Sequence, residues 1–360
     1  MKKICSVVGA RPQFIKLAVV SRELRKHFQE VLIHTGQHYD HNMSDVFFEE
    51  MDIPKPDYNL GISGGTHGQM TGQMLIKIEE VFLKEKPDMA LLFGDTNSTM
   101  AAALAAAKLH IPVCHVEAGN RFGTLESPEE VNRIVTDHMA SINLPCTDSS
   151  MEFLVREGLG HTATVVGDPM YDAFRYYTDR LDGEELKEIK DFEGYVIALP
   201  DEFYYMTCHR QENTDTDEKL DGIFSAMEAL DAPTIYPVHP RNHDRAERLC
   251  KAKGYRNIIL TLPVGYQTSI SLVNKAKKIV TDSGGVQREA FFAGKPCVTV
   301  LDFVVWPETM KDGCNRLAKP DRQDILEKLN AQVEFDPAYQ PFGDGHSAEK
   351  IVTKIQEFLK

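Results

Sequence analysis

Ile4-Cys5-Ser6-Val7-Val8-Gly9-Ala10-Arg11-Pro12-Gln13-Phe14-Ile15-Lys16 opens the chain with an apolar strand that stops at small residues and turns into a helix. The pattern returns in the other half as Ile279-Val280-Thr281-Asp282-Ser283-Gly284-Gly285-Val286-Gln287-Arg288-Glu289. A helix start offers unpaired backbone N–H groups and the positive end of the helix dipole, so an anion sits there readily. Two such turns predict two α/β domains closing on one phosphorylated ligand. Around them, strands are expected near 3–8, 30–35, 89–93, 111–116, 142–146 and 163–167, then near 203–207, 234–238, 257–262, 278–281 and 297–301. Helical periodicity marks 13–27, 67–84, 98–109, 129–139 and 149–157 in the first half. Strands alternating with helices mean parallel, doubly wound sheets. The expected fold is α/β, with two Rossmann-like domains facing across a cleft. Residues 1–168 form the first and 169–346 the second, joined through the charged stretch Asp179 to Glu193. A last helix over 347–360 is placed to pack back on the first domain.

The chain has 360 residues, which favours two cores over one. No apolar run approaches the ~20 residues that span a bilayer, so a cytoplasmic protein with no membrane partner is expected. Seven cysteines are scattered without a Cys-x-x-Cys pair, as suits buried thiols rather than disulfides or zinc. A formal charge of -14 argues against nucleic acid as a partner. Arg11, Lys16, Arg121, Arg133, Arg210 and Arg241 nevertheless cluster in candidate site loops, where a local positive field suits a small anion.

Ligands of open parallel sheets bind beyond the carboxyl ends of the strands. Asp95, in Gly94-Asp95-Thr96, and Glu117, in His115-Val116-Glu117-Ala118-Gly119, both follow strands, and Glu129 opens a helix. Each has a plainer role open to it: Asp95 as a helix cap, Glu129 as a partner of the helix dipole. Glu117 has no such capping role. In the second half, His209-Arg210 follows a strand, and His239-Pro240-Arg241 repeats the arrangement one unit later. Ser283-Gly284-Gly285 lets backbone approach a diphosphate closely, and Glu289 follows on the helix where a carboxylate accepts ribose hydroxyls. An ordinary tight turn is the alternative for the glycines. No Gly-x-Gly-x-x-Gly follows a strand, no P-loop occurs, and no histidine or cysteine cluster has ligand spacing. No cofactor and no metal are expected.

Seven segments in this order resemble the non-hydrolysing UDP-N-acetylglucosamine 2-epimerases. They are Gly9-Ala10-Arg11-Pro12 with Lys16; His34-Thr35-Gly36-Gln37-His38; Gly94-Asp95-Thr96; His115-Val116-Glu117-Ala118-Gly119; Pro128-Glu129-Glu130 with Asn132-Arg133; His209-Arg210-Gln211-Glu212-Asn213; and Asp282-Ser283-Gly284-Gly285 with Glu289. The resemblance implies the glycosyltransferase-B type of fold and a homodimer. It assigns Arg11, Lys16, His209, Ser283, Gly284, Gly285 and Glu289 to the UDP moiety of a UDP-sugar. Asp95, Glu117, Glu129 and His209 are implied in turnover, by loss of UDP and the C2 proton through a 2-acetamidoglucal. UDP-N-acetylglucosamine is the first substrate expected. Trp306 stands where the family usually carries arginine, and the loop from Glu117 to Glu129 is short. Together with Gly65-Thr66-His67-Gly68-Gln69-Met70-Thr71-Gly72, these departures resemble branches acting on modified sugars, among them UDP-N-acetylfucosamine precursors and UDP-2,3-diacetamido-2,3-dideoxyglucuronate, whose carboxylate Arg121, Arg241 and Arg316 are candidates to meet. A second-UDP-sugar site matches only at Gln37-His38. A glycosyltransferase and a non-catalytic nucleotide-sugar sensor are the rivals; neither needs three carboxylates.

Overall fold

The computed structural model describes residues 1–36, 48–181 and 186–360. Gln37-His38 and part of the expected linker, residues 182–185, lie outside them. Contacts divide the chain into one unit of Met1–Arg175 with Gln340–Lys360 and a second of Tyr176–Tyr339. The boundary expected after Asp168 lies at the head of the helix Pro169–Leu181, and the division falls within that helix.

The first unit is a six-stranded sheet ordered β3-β2-β1-β4-β5-β6, all parallel. Its strands are β1 Lys3–Val8, β2 Gln29–His34, β3 Tyr58–Asn59, β4 Met89–Phe93, β5 Val113–Val116 and β6 Ile142–Leu144. Parallel sheets are covered on both faces, so central strands read as unbroken apolar runs. Met89-Ala90-Leu91-Leu92-Phe93 is such a run, buried throughout. The expected strand at 163–167 is not formed beyond an isolated bridge between Asn143 and Ala163. Thr164 N–H donates to Asn143 and Val166 N–H to Pro145, but the return bond needs an N–H that Pro145 lacks.

After the Glu188–Lys190 and Val196–Ala198 hairpin (β7, β8), whose first strand falls within the stretch expected to be the linker, the second unit repeats the topology. Strands β9 Tyr204–Thr207, β10 Thr234–Pro237, β11 Ile258–Thr261, β12 Ile279–Thr281, β13 Cys297–Val300 and β14 Asn315–Ala318 take the order β11-β10-β9-β12-β13-β14. The α/β, doubly wound expectation holds in both halves.

The helix Ser347–Phe358 belongs to the first unit and packs against the helix Arg11–Leu24 with Ile351, Val352 and Ile355 buried. Asp172 fixes its start by accepting the Ala348 N–H at 2.7 Å. Where the returning chain crosses, a Cβ on Gly167 would sit 2.9 Å from the Phe342 carbonyl, and the residue has φ +87°. Only glycine fits there.

Candidate functional site

In each sheet the strand order reverses between the first and fourth strands, which opens a crevice at their carboxyl ends. The loops there are Gly9–Arg11 and Gly94–Thr96 in one unit, Cys208–Arg210 and Asp282–Gly285 in the other. These are the loops that carry most of the candidate residues.

The first turn departs from expectation. Gln13 is buried and its Oε1 accepts the N–H groups of Gly9 (2.7 Å) and Ala10 (3.0 Å), while Pro12 has none to give. Most donors of this helix start are therefore already taken. Gln13 Nε2 donates in turn to the Phe93 carbonyl and the hydroxyls of Thr96 and Thr99, clasping the two switch-point loops together. Nothing in the sequence pattern distinguished Gln13 from any other residue of an amphipathic helix.

About one turn beyond Gln13 on this helix, Lys16 forms an ion pair with Glu117; both side chains are below 10% exposed, and the contact is close. Gly94, at φ +63°, makes room: a Cβ there would lie 3.5 Å from the Lys16 ammonium and 3.8 Å from Glu117. Glu117 itself has φ +68°, a left-handed conformation that is uncommon for a residue with a side chain. Such backbone gathers at functional sites. One ligand atom each of Glu117, Cys146 and Asp168 lie within 4.8 Å of one another, all buried. The donor types suit a divalent ion, yet Lys16 already brings a cation to the Glu117 carboxylate.

Asp95 is part-exposed and paired with Arg133, whose other terminal nitrogen donates to Glu130 at 3.1 Å. The Asp95 carbonyl accepts from Asn132 at 3.0 Å, and Arg133 lies over the Phe122 ring at 4.6 Å. Glu130 accepts the N–H groups of Phe122 and Gly123, so it holds the loop after Glu117. Its neighbour Glu129 stays at the surface, where Ser127 Oγ donates to it at 2.7 Å. The structure thus gathers Lys16, Glu117 and Asp95 at the first switch point and leaves Glu129 outside that set. Arg11 is part-buried at the head of its helix.

In the second unit, Ser283 caps the helix Gly284–Phe292 by accepting the Val286 N–H. The N–H groups of Gly284 and Gly285, at the first two helical positions, have no acceptor behind them within the helix. Asp282, unremarked as a site residue from sequence, is the anchor of this corner. It accepts the N–H groups of His209 (2.9 Å) and Arg210 (2.8 Å) and the Asn213 amide (3.3 Å). It also faces His209 Nδ1 at 3.1 Å, which directs Nε2 of that half-exposed ring outward. Burial pushes the Asp282 carboxyl up, but the His209 ring and the backbone N–H groups outweigh it and bring the pKa down to about 2. His209 and His239 are stacked at 6.2 Å, and Arg241 donates to the His209 carbonyl. Glu289 is buried on the helix, one turn and a half beyond the cap.

The depressed Asp282 value has a measurable consequence. Unfolded, this carboxylate protonates near its ordinary 3.8; folded, near 2. Its stabilisation is complete above about pH 4 and is lost as pH falls through 2, amounting to about 2–3 kcal/mol. Trp306, the single tryptophan, lies in the same unit and reports its unfolding by fluorescence. Asp282→Asn is expected to flatten the stability of this unit between pH 4 and 2; an unchanged slope would assign the effect elsewhere.

Trp306 is 2% exposed, with the Arg288 guanidinium over its ring at 4.1 Å. Its Nε1 would lie 3.6 Å from a Cβ on Gly284, so the ring backs the Ser283-Gly284-Gly285 turn. Buried this way, the ring is not presented for stacking on a sugar. Arg121 is also committed within the fold, to Asp137 (2.7 Å) and Glu157 (2.7 Å), as is Arg316 to the carbonyls of Gly313 and Gln332.

A family model described as UDP-N-acetylglucosamine 2-epimerase matches residues 22–356. A UDP-N-acetylglucosamine 2-epimerase homolog of Methanococcus maripaludis is 47% identical, over 98% of this chain and 99% of that one. The UDP-2,3-diacetamido-2,3-dideoxy-D-glucuronate 2-epimerase of Pseudomonas aeruginosa is 42% identical, over 99% of each. Among solved structures, Methanocaldococcus jannaschii UDP-GlcNAc 2-epimerase in complex with UDP-GlcNAc and UDP is similar with a TM-score of 0.88. It is 37% identical and covers 99% of each chain.

Proposed function

The chain belongs to the UDP-N-acetylglucosamine 2-epimerase family, and from that premise we propose that it interconverts UDP-N-acetylglucosamine and UDP-N-acetylmannosamine without hydrolysis or added cofactor. The observation that carries this is the division of chemistry between the switch points. The second unit offers open N–H donors at Gly284 and Gly285 beside His209, Arg210 and Arg241. The first holds a buried ammonium–carboxylate pair, Lys16 and Glu117, at the loop carrying Asp95. Ser283, Gly284, Gly285 and His209 take the diphosphate, with Arg11 adding charge, and Glu289 takes the ribose. Lys16, held at Glu117, acts first on that carboxylate.

In the reaction the C1–O bond breaks and its electron pair leaves with UDP. A carboxylate takes the C2 proton, and the C–H electron pair becomes the C1–C2 double bond. Protonation of C2 from the other face and return of UDP to C1 complete the inversion. Asp95, Glu117 and His209 are proposed for these proton transfers and for the charge on the departing diphosphate. Glu129 stays in the set on the family resemblance, since the structure leaves it at the surface. The enzyme is placed in the cytoplasm as a homodimer, with no nucleic-acid or membrane partner; among the described residues no helix is long and apolar enough to cross a membrane.

UDP-N-acetylglucosamine is placed first because Arg121, Arg241 and Arg316, the three cations considered for a uronate, are all engaged within the fold. The Pseudomonas relative keeps the diacetamido-uronate as the second reading. Turnover of both substrates in D2O, followed by NMR, tests the whole proposal. One deuterium at C2 and none elsewhere, with no nicotinamide added, is expected. Retention of the C2 proton would exclude elimination, and a kcat/KM ~100-fold higher for the uronate would reverse the substrate order.

A further inference from the structure

Asp137, on the helix Pro128–Met139, is fully buried and meets three donors. His115 Nδ1 faces its Oδ1 at 2.7 Å; the Gly119 N–H donates to Oδ2 at 3.1 Å; Arg121 Nη1 reaches Oδ2 at 2.7 Å. The other His115 nitrogen, Nε2, donates to the Gly94 carbonyl at 2.7 Å. One carboxylate is therefore tied to both loops that carry the proposed proton-transfer groups. Gly94 immediately precedes Asp95, and Gly119 lies two residues beyond Glu117.

Glu117 needs such support. Its left-handed backbone persists only where the surroundings over-determine it. The turn is pinned at one end by the Glu117 N–H on the Leu144 carbonyl, at 3.1 Å. At the other end Gly119, at φ +81°, packs so closely that a Cβ would fall 2.4 Å from the Ser150 carbonyl. A further tie at that end is the Gly119 N–H on Asp137. His115 and Arg121 hold that carboxyl below the usual range against the effect of burial, so it stays an acceptor.

We propose that Asp137 is a positioning residue of the epimerase, fixing Glu117 through Gly119 and the Asp95 turn through His115 and Gly94. It touches no reacting atom itself. The inference rests on the proposal that Glu117 and Asp95 act in turnover. Because all three partners of this carboxylate are donors, an amide at this position turns its NH2 toward at least one of them.

The test is a pair of mutant cycles on the full chain, reading kcat, KM and UDP affinity. Asp137→Asn is expected to lower kcat ~10–100-fold with UDP affinity within about twofold. Combined with Glu117→Gln it should add less than about threefold to the loss from Glu117→Gln alone, because groups acting as a unit are not additive. Should Asp137→Asn fail to fold, His115→Gln, which leaves Asp137 on Gly119, carries the test in a cycle with Asp95→Asn. There too a sub-multiplicative loss is expected. Fully multiplicative losses, an unchanged kcat, or an equal fall in UDP affinity would overturn the inference. Full activity in Glu117→Gln alone would instead overturn the functional proposal beneath it.

Discussion

Glu117→Gln is expected to lower kcat by ~10²–10⁴-fold, the usual worth of a general acid or base, while UDP binding by calorimetry stays near wild type. The amide keeps the shape of the side chain and removes its proton chemistry. Glu289→Ala is the complement: it leaves the Lys16–Glu117 pair untouched and should weaken UDP affinity, since its proposed partners are ribose hydroxyls. Equal losses of UDP affinity in the two variants would mean that the division of labour between the units is wrongly drawn.

The second large effect is on stability. Lys16→Met leaves the Glu117 carboxylate buried without its cation, and breaking a buried pair from one side costs about 3–5 kcal/mol. Lys16→Met combined with Glu117→Gln leaves no charge to strand and should recover most of that loss. The transition to follow is the circular dichroism change that Trp306 fluorescence does not share, because Trp306 lies in the other unit. Ionic strength should matter little, as both side chains are shielded from solvent. A double variant as unstable as Lys16→Met would show that the lysine's packing, not its charge, is what the fold requires.

Much of this was legible in the sequence because apolar runs and glycine-bearing turns are local signals. Met89–Phe93 reads as a buried strand at sight, and Ser283-Gly284-Gly285 reads as a helix start. The misses have physical causes. β14, Asn315-Arg316-Leu317-Ala318, is an edge strand with too little apolar pattern, held in register partly by an Asn315–Thr299 contact of 2.8 Å. Residues 163–167 look like a strand but face Pro145, which cannot complete the ladder. In the site, Gln13, Arg133, Asp137 and Asp282 act through partners far away in sequence, from Thr96 to His209, and no periodicity reports such pairings. Arg121 was visible as a cation, but not that Asp137 and Glu157 already hold it.

The return of residues 340–360 to the first unit bears on how the protein is made. The second unit is one uninterrupted segment, Tyr176–Tyr339, and can fold as soon as it has left the ribosome. The first has to wait. Until Ser347–Phe358 emerges, the helix Arg11–Leu24 lacks its covering helix and Asp172 lacks the Ala348 N–H it accepts. Although synthesised first, the half bearing Glu117 is completed last, so a nascent chain that ends at Tyr339 holds the whole second unit and an unfinished first one.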